Sequence, residues 1–139
     1  MENNFTVLDH IAIAVRDLEA AVRIYEDMGF TFSKTREKVE SQGVEVAFAP
    51  MGGGHLELLR PLSEDGPVGK FIAKKGEGIH HICFEVKDVA KLCGDLSAKG
   101  YQFLYDSPVP GARDCLVNFI HPKSTRGVLV ELLQRGPRE

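Results

Sequence analysis

Two histidines and two glutamates occupy matching places in the two halves of the chain, and together they could bind a divalent metal ion. His10 lies in residues 8–15 (LDHIAIAV), and His81 lies in the similar residues 79–86 (IHHICFEV). Glu57 and Glu131 each stand between apolar neighbours, in LELL and VELL. A buried carboxylate is costly without a compensating charge. The sequence therefore predicts a site with two nitrogen and two oxygen ligands, a donor set that suits zinc, cobalt, manganese, nickel or iron equally.

Strand alternation supports this grouping, because alternate residues of a strand share one face. The apolar neighbours of Glu57 and Glu131 are expected to face a covering helix, so both glutamates point to the opposite face. His10 and His81 point the same way by alternation. His55 shares this parity and His80 does not, and both are interpreted as supporting or structural residues.

A further carboxylate, Glu45, occurs in residues 42–48 (QGVEVAF) and has no counterpart in the second half. If Val44, Val46 and Phe48 face the helix, Glu45 points into the cleft, where a carboxylate beside a metal suits proton transfer. The alternative is an edge-strand charge paired with a lysine.

These side chains need a scaffold, and the repeated pattern predicts one βαβββ module written twice. In each copy an aspartate, Asp17 or Asp88, is placed to cap a helix, and a glycine, Gly29 or Gly100, is placed to end it. The predicted strands are residues 8–15, 30–36, 44–49 and 56–59 in the first copy, and 79–86, about 102–105, 116–120 and 128–133 in the second.

The fold class predicted from this order is α+β, with two tandem βαβββ modules forming one domain with a metal-binding cleft. Module one covers about residues 6–62, a linker with a short helix from Pro67 covers 63–78, and module two covers about 79–134. Residues 1–4 are expected to be a loose tail, and residues 108–111 a stiff loop. A half of about 70 residues is marginal alone, so residues 1–139 are expected to share one core.

Composition and charge argue against nucleic acid and membrane as partners. A chain of 139 residues with a formal charge of −3 carries no basic footprint for nucleic acid, and no apolar segment approaches membrane-spanning length. The three cysteines form no Cys-x-x-Cys pair, and no signal peptide is evident, so a cytoplasmic location is expected. Lys123 and Arg126, in the basic turn at residues 121–127, could bind phosphate or carboxylate groups, or could simply be solvated.

Several motifs resemble the vicinal oxygen chelate superfamily, which includes glyoxalases, bleomycin resistance proteins and dioxygenases. They are QGVE (42–45), ELLRPL (57–62), GIHHIC (78–83), HPKS (121–124) and GVLVEL (127–132). The resemblance implies a metal-dependent epimerase that interconverts the stereoisomers of methylmalonyl-CoA by proton abstraction and return at the α-carbon, through a metal-stabilised enolate.

The resemblance also implies residue roles. The metal ligands fall on His10, Glu57, His81 and Glu131, and the catalytic base falls on Glu45, with Glu131 as a second acid or base. Lys123 and Arg126 would contact an acyl-CoA substrate, and the chain would form a homodimer.

Two other functions remain open. A lactoylglutathione lyase like glyoxalase I would need the same ligands and the same proton abstraction. A non-catalytic, resistance-type protein would bind a small molecule without turning it over.

Overall fold

The computed structural model describes residues 6–136, so the tail predicted over residues 1–4 lies outside the described residues. Within this range the chain forms eight strands and three α-helices. In chain order they are β1 (Thr6–Ala14), α1 (Leu18–Asp27), β2 (Glu37–Val39), β3 (Val44–Met51), β4 (Gly54–Pro61), α2 (Pro67–Lys75), β5 (Gly78–Val86), α3 (Val89–Ala98), β6 (Val109–Pro110), β7 (Leu116–Ile120) and β8 (Val130–Gln134). The chain divides into two compact units.

The first unit comprises residues 10–80, with strands in the order β2-β3-β4-β1. β1 pairs with β4 in parallel, and β3 lies antiparallel to both β4 and β2. Asp17 accepts a hydrogen bond from the backbone of Ala20 and so caps α1, as predicted. Buried Leu18, Ala21 and Val22 of this helix pack on one face of the sheet.

The second unit joins the start of β1, up to Asp9, to residues 81–136, with strands in the order β5-β8-β7-β6. Asp88 caps α3 through the backbone of Lys91. Val89 and Cys93 of α3 pack against a face of the sheet that includes Leu132. The predicted α+β class with two βαβββ modules is confirmed.

The linker contains the helix predicted from Pro67. This proline occupies the first turn of α2, where its missing N–H costs no helical hydrogen bond, and Val68 and Ile72 are buried. Glu77, just beyond the helix, accepts a 2.7 Å hydrogen bond from the backbone of Arg16. The linker therefore has structure of its own, as expected.

Three local predictions are wrong. Residues 30–36 form no strand, because Phe30 and Phe32 pack into the core under α1, and the strand begins later, at Glu37. Residues 102–105 form no strand beyond one isolated bridge from Phe103 to Ile120. The strand lies instead at Val109–Pro110, in the predicted loop, where an edge position tolerates the proline.

An ion-pair network ties the start of β1 into the second unit. Arg135 contacts the carboxylate of Asp9 through Nη2 and that of Glu85 through Nε, the latter at 3.3 Å. Asp9 is only 4% exposed, so the positive charge of Arg135 helps to offset the cost of burying its carboxylate.

Two wider expectations concern the number of domains and the absence of membrane-spanning segments. The assignment of residues 1–139 to a single domain stays a prediction. Of the residues from 6 to 136, none belongs to a helix that is both long and apolar enough to cross a membrane.

Candidate functional site

The first unit brings His10 and Glu57 together. β1 and β4 run in parallel with Ala12 opposite Glu57, so alternation places His10 and Glu57 on the same face of the sheet. His10 Nδ1 lies 3.2 Å from Glu57 Oε2. The two residues are 2% and 7% exposed, so this imidazole and carboxylate are shielded from water.

A third side chain, His55, contacts the same carboxylate. Its Nε2 lies 2.7 Å from Glu57 Oε2, and its ring stacks on His10 at a centroid distance of 4.9 Å. The sequence had placed His55 on this face by parity without identifying the contact. The available signal was the spacing of two residues in one strand, which points both side chains to the same side.

The second unit brings His81 and Glu131 together. Glu131 of β8 lies opposite Cys83 of β5, so His81 shares its face. His81 Nε2 lies 2.9 Å from Glu131 Oε1, and both residues are 4% exposed. The ring of Phe119 contacts that of His81 edge-on at 5.5 Å, which fixes the plane of the imidazole.

The predicted orientation of β3 is wrong, and this changes the place of Glu45. In the antiparallel pairing with β4, Ala47 lies opposite Leu58 and Phe48 opposite Glu57. Since opposite residues share a face and Leu58 packs under α1, Ala47 and Glu45 belong to the helix side. Val44, Val46 and Phe48 instead share the face of Glu57.

The partner of Glu45 confirms this placement. Glu45 lies opposite Arg60, and its Oε1 accepts hydrogen bonds from Arg60 Nη2 at 2.8 Å and from Nε at 3.1 Å. The carboxylate is therefore paired with an arginine on the helix face rather than pointing to the face of Glu57. Its catalytic role stays a prediction, and the strand register speaks against it.

The remaining candidates have different surroundings. Lys123 and Arg126 are exposed around the short turn Pro122–Ser124, whose cap is a hydrogen bond from the backbone N–H of Lys123 to the His121 ring. Arg126 has a backbone φ of 60°, which is uncommon for a residue other than glycine. His80 packs edge-on against Phe71 at 4.9 Å, in keeping with a structural role.

Each histidine–glutamate pair fits a divalent cation. An imidazole nitrogen and a carboxylate oxygen already lie within 3.2 Å of each other, so a cation could replace the proton between them. Cys93 and Cys115 are poorer candidates, because burial raises the pKa of their thiols and a thiol binds metal only as the thiolate.

The chain belongs to the glyoxalase/bleomycin resistance protein/dioxygenase superfamily, whose model matches residues 9–119. The family expected from the sequence is confirmed. Both βαβββ modules contribute to the matched region.

More specific similarities point to one branch. The chain is 42% identical to the mitochondrial methylmalonyl-CoA epimerase of Mus musculus, across 91% of this chain and 72% of the mouse protein. It is 40% identical to the ethylmalonyl-CoA/methylmalonyl-CoA epimerase of Cereibacter sphaeroides, across 91% and 96% of the two chains. A solved methylmalonyl-CoA epimerase in complex with methylmalonyl-CoA and NH4+ is 42% identical, with a TM-score of 0.87 and coverage of 96% and 97%.

Proposed function

We propose that this chain is a metal-dependent methylmalonyl-CoA epimerase. The observation that carries the proposal is the buried histidine–glutamate pair at equivalent strands of both modules, His10 with Glu57 and His81 with Glu131. Similarity to epimerases over more than nine-tenths of the chain supports the choice of substrate. The proposal assigns to this chain the reaction named for these similar proteins.

The four residues would together hold one divalent ion. When bound, such an ion supplies a positive charge that stabilises negative charge developing on the substrate's thioester oxygen. Stabilisation is needed because a glutamate, with an ordinary pKa of about 4.3, is too weak a base to remove a carbon-bound proton unaided. The nitrogen and oxygen donors leave the identity of the metal open.

Glu131 is proposed to transfer the proton. Its carboxylate is buried and lies 2.9 Å from His81 Nε2, so its orientation is fixed before substrate arrives. Epimerisation removes the α-proton from one face of the carbon and returns a proton to the other, which requires a second acid. Glu57, the equivalent carboxylate of the first module, is the residue that we assign to that role. Glu45 is left out because Arg60 holds it on the helix side.

Lys123 and Arg126 are proposed to bind the phosphates of the acyl-CoA. Both are exposed cations on one turn, and lysine and arginine are the usual partners of phosphate oxygens. Replacing either with alanine should raise KM for methylmalonyl-CoA and leave kcat unchanged, because the phosphates do not take part in the reaction. An unchanged KM in both variants would remove these residues from the substrate site.

The test of the function is incorporation of solvent deuterium at the α-carbon, measured together with the inversion of each methylmalonyl-CoA stereoisomer. Inversion should disappear on chelation, return on adding a divalent metal, and fall at least about 100-fold in Glu131→Gln. A glutathione hemithioacetal, assayed alongside, should not turn over. Preferred turnover of the hemithioacetal would favour a lactoylglutathione lyase, and tight binding without turnover would favour a binding protein.

The chain is also proposed to act as a homodimer built from single-domain protomers. Light scattering during size-exclusion chromatography should give twice the mass of one chain. A single cooperative unfolding transition, followed by two optical probes, should confirm that the modules share one domain.

A further inference from the structure

His55 is the imidazole in closest contact with Glu57. Its Nε2 lies 2.7 Å from Glu57 Oε2, whereas Nδ1 of the proposed ligand His10 lies 3.2 Å from the same oxygen. His55 is 9% exposed, so water competes little for this hydrogen bond. The stronger contact is thus made by a histidine outside the proposed ligand set.

Packing within the first unit holds the His55 ring in place. Phe48, on the neighbouring strand, contacts the ring edge-on at 5.3 Å and an interplanar angle of 60°. On the other neighbouring strand, His10 lies opposite His55 and stacks on it at 4.9 Å and 30°. A ring fixed by both neighbouring strands has little freedom to leave the carboxylate.

We propose that His55 is a positioning residue for Glu57, which goes beyond the proposed metal site and rests on it. The Nε2–H of His55 donates to Glu57 Oε2, and this hydrogen bond holds the carboxylate in the orientation that faces His10. His55 itself lies outside the proposed ligand set of His10, Glu57, His81 and Glu131. Hydrogen-bonding partners that orient a metal-binding side chain typically contribute 10-fold to 100-fold to metal affinity.

Two substitutions separate the hydrogen bond from the ring. His55→Phe keeps an aromatic ring between Phe48 and His10 but removes the donor. His55→Gln places an amide N–H near the position of Nε2 and keeps the donor. Should His55→Phe fail to fold, His55→Asn takes its place, because its shorter amide cannot reach Oε2.

Cobalt(II) serves as the probe, because its visible d–d absorption reports coordination independently of catalysis. The full chain, freed of metal by chelation, is titrated with Co(II) in competition with a chelating dye. His55→Phe should bind Co(II) 10-fold to 100-fold more weakly than the unchanged chain, with an altered d–d band. His55→Gln should stay within about threefold in affinity and keep the original band.

The outcomes distinguish this inference from the function on which it rests. Unchanged Co(II) affinity and spectrum in His55→Phe would overturn the positioning role while leaving the metal site in place. Equal weakening in both variants would also overturn it, because the ring and not the donor would then matter. If the unchanged chain binds no Co(II), both the metal site and this inference fail.

Discussion

The substitution Glu45→Gln tests the register of β3 against the role predicted from the sequence. The register places Glu45 on the face covered by α1, with its carboxylate bound to Arg60. Glutamine has the same shape and cannot act as a base. We therefore expect Glu45→Gln to retain both epimerisation and solvent exchange within a factor of about three, since no acid or base is lost from the face of Glu57.

A catalytic and a purely structural role for Glu45 predict effects on the activation free energy that differ by several kcal/mol. Removing a general base lowers the rate by about 10²-fold to 10⁴-fold, which corresponds to about 3 to 5 kcal/mol of barrier. Removing one partner of a partly exposed ion pair costs about 0 to 1 kcal/mol of folding free energy, and the Glu45 and Arg60 side chains are 22% and 36% exposed. A rate assay and a urea titration together separate these effects.

The assay follows inversion of each methylmalonyl-CoA stereoisomer together with deuterium incorporation, with added divalent metal, alongside urea unfolding of the same preparations. Arg60→Met is the matched control, because it breaks the same ion pair from the other side and should change stability by a similar amount. Glu131→Gln is the positive control for lost epimerisation. If Glu45→Gln loses activity 100-fold while it remains folded and Arg60→Met remains active, the assignment of Glu45 to the helix side is refuted.

Three further predictions concern stability and reactivity. Arg135→Met should lower the free energy of unfolding by about 2 to 3 kcal/mol in urea titrations, because it removes a positive charge beside the buried Asp9 carboxylate, although the arginine itself is 27% exposed. The three buried cysteines should react with a thiol reagent at pH 8 only after unfolding, since burial also raises the pKa of two of them. A hydrogen bond from Arg36 lowers the pKa of Glu19. The ionised carboxylate therefore stabilises the fold above the unfolded-state pKa of about 4.5, and this stabilisation is lost as pH falls through the folded-state pKa. Because the pair is exposed, Glu19→Gln should reduce this acid-side dependence by only a few tenths of a kcal/mol in titrations between pH 3 and 6.

The repeat made the two histidine–glutamate pairs predictable. In β4 and β8 a single glutamate interrupts leucine or valine on both sides, so alternation allows only one orientation with the apolar residues under a helix. Leu56 and Leu58 do pack under α1, and Val130 and Leu132 pack under α3. The same parity predicted that His10 and His81 share the face of the glutamates, whereas the individual contacts depend on the pairing of β1 with β4 and of β5 with β8.

The orientation of β3 was not predictable in this way, because the strand is apolar on both faces. Val44, Val46, Ala47, Phe48 and Ala49 are all buried, so the pattern does not distinguish the two sides. The large residues appeared to suit the helix side, but the small alanines lie there, in the same cluster as α1. Helix packing close to the sheet selects small side chains at this point.

The sequence pattern did not predict the edge strands, for a different reason. β2 consists of Glu37–Val39 and β6 of Val109–Pro110, and neither carries an apolar alternation. Both are edge strands that pair with one neighbour each, β3 and β7. Backbone hydrogen bonding to an existing strand defines them, and side-chain patterns carry little information about such pairing.

The orientation of β3 also bears on stereochemistry. With Val46 rather than Glu45 on the side of Glu57, β3 offers that face no carboxylate. In the proposed mechanism, the proton carrier of each module therefore comes from its last strand, β4 or β8. Inversion at one carbon needs a carrier for each face of the carbon, and a duplicated module supplies one per copy. Normalised to bound metal, Glu57→Gln and Glu131→Gln should therefore each abolish deuterium exchange from one stereoisomer and spare the other, with opposite preferences. Equal loss from both stereoisomers in both variants would contradict this division, because each glutamate would then act only as a ligand.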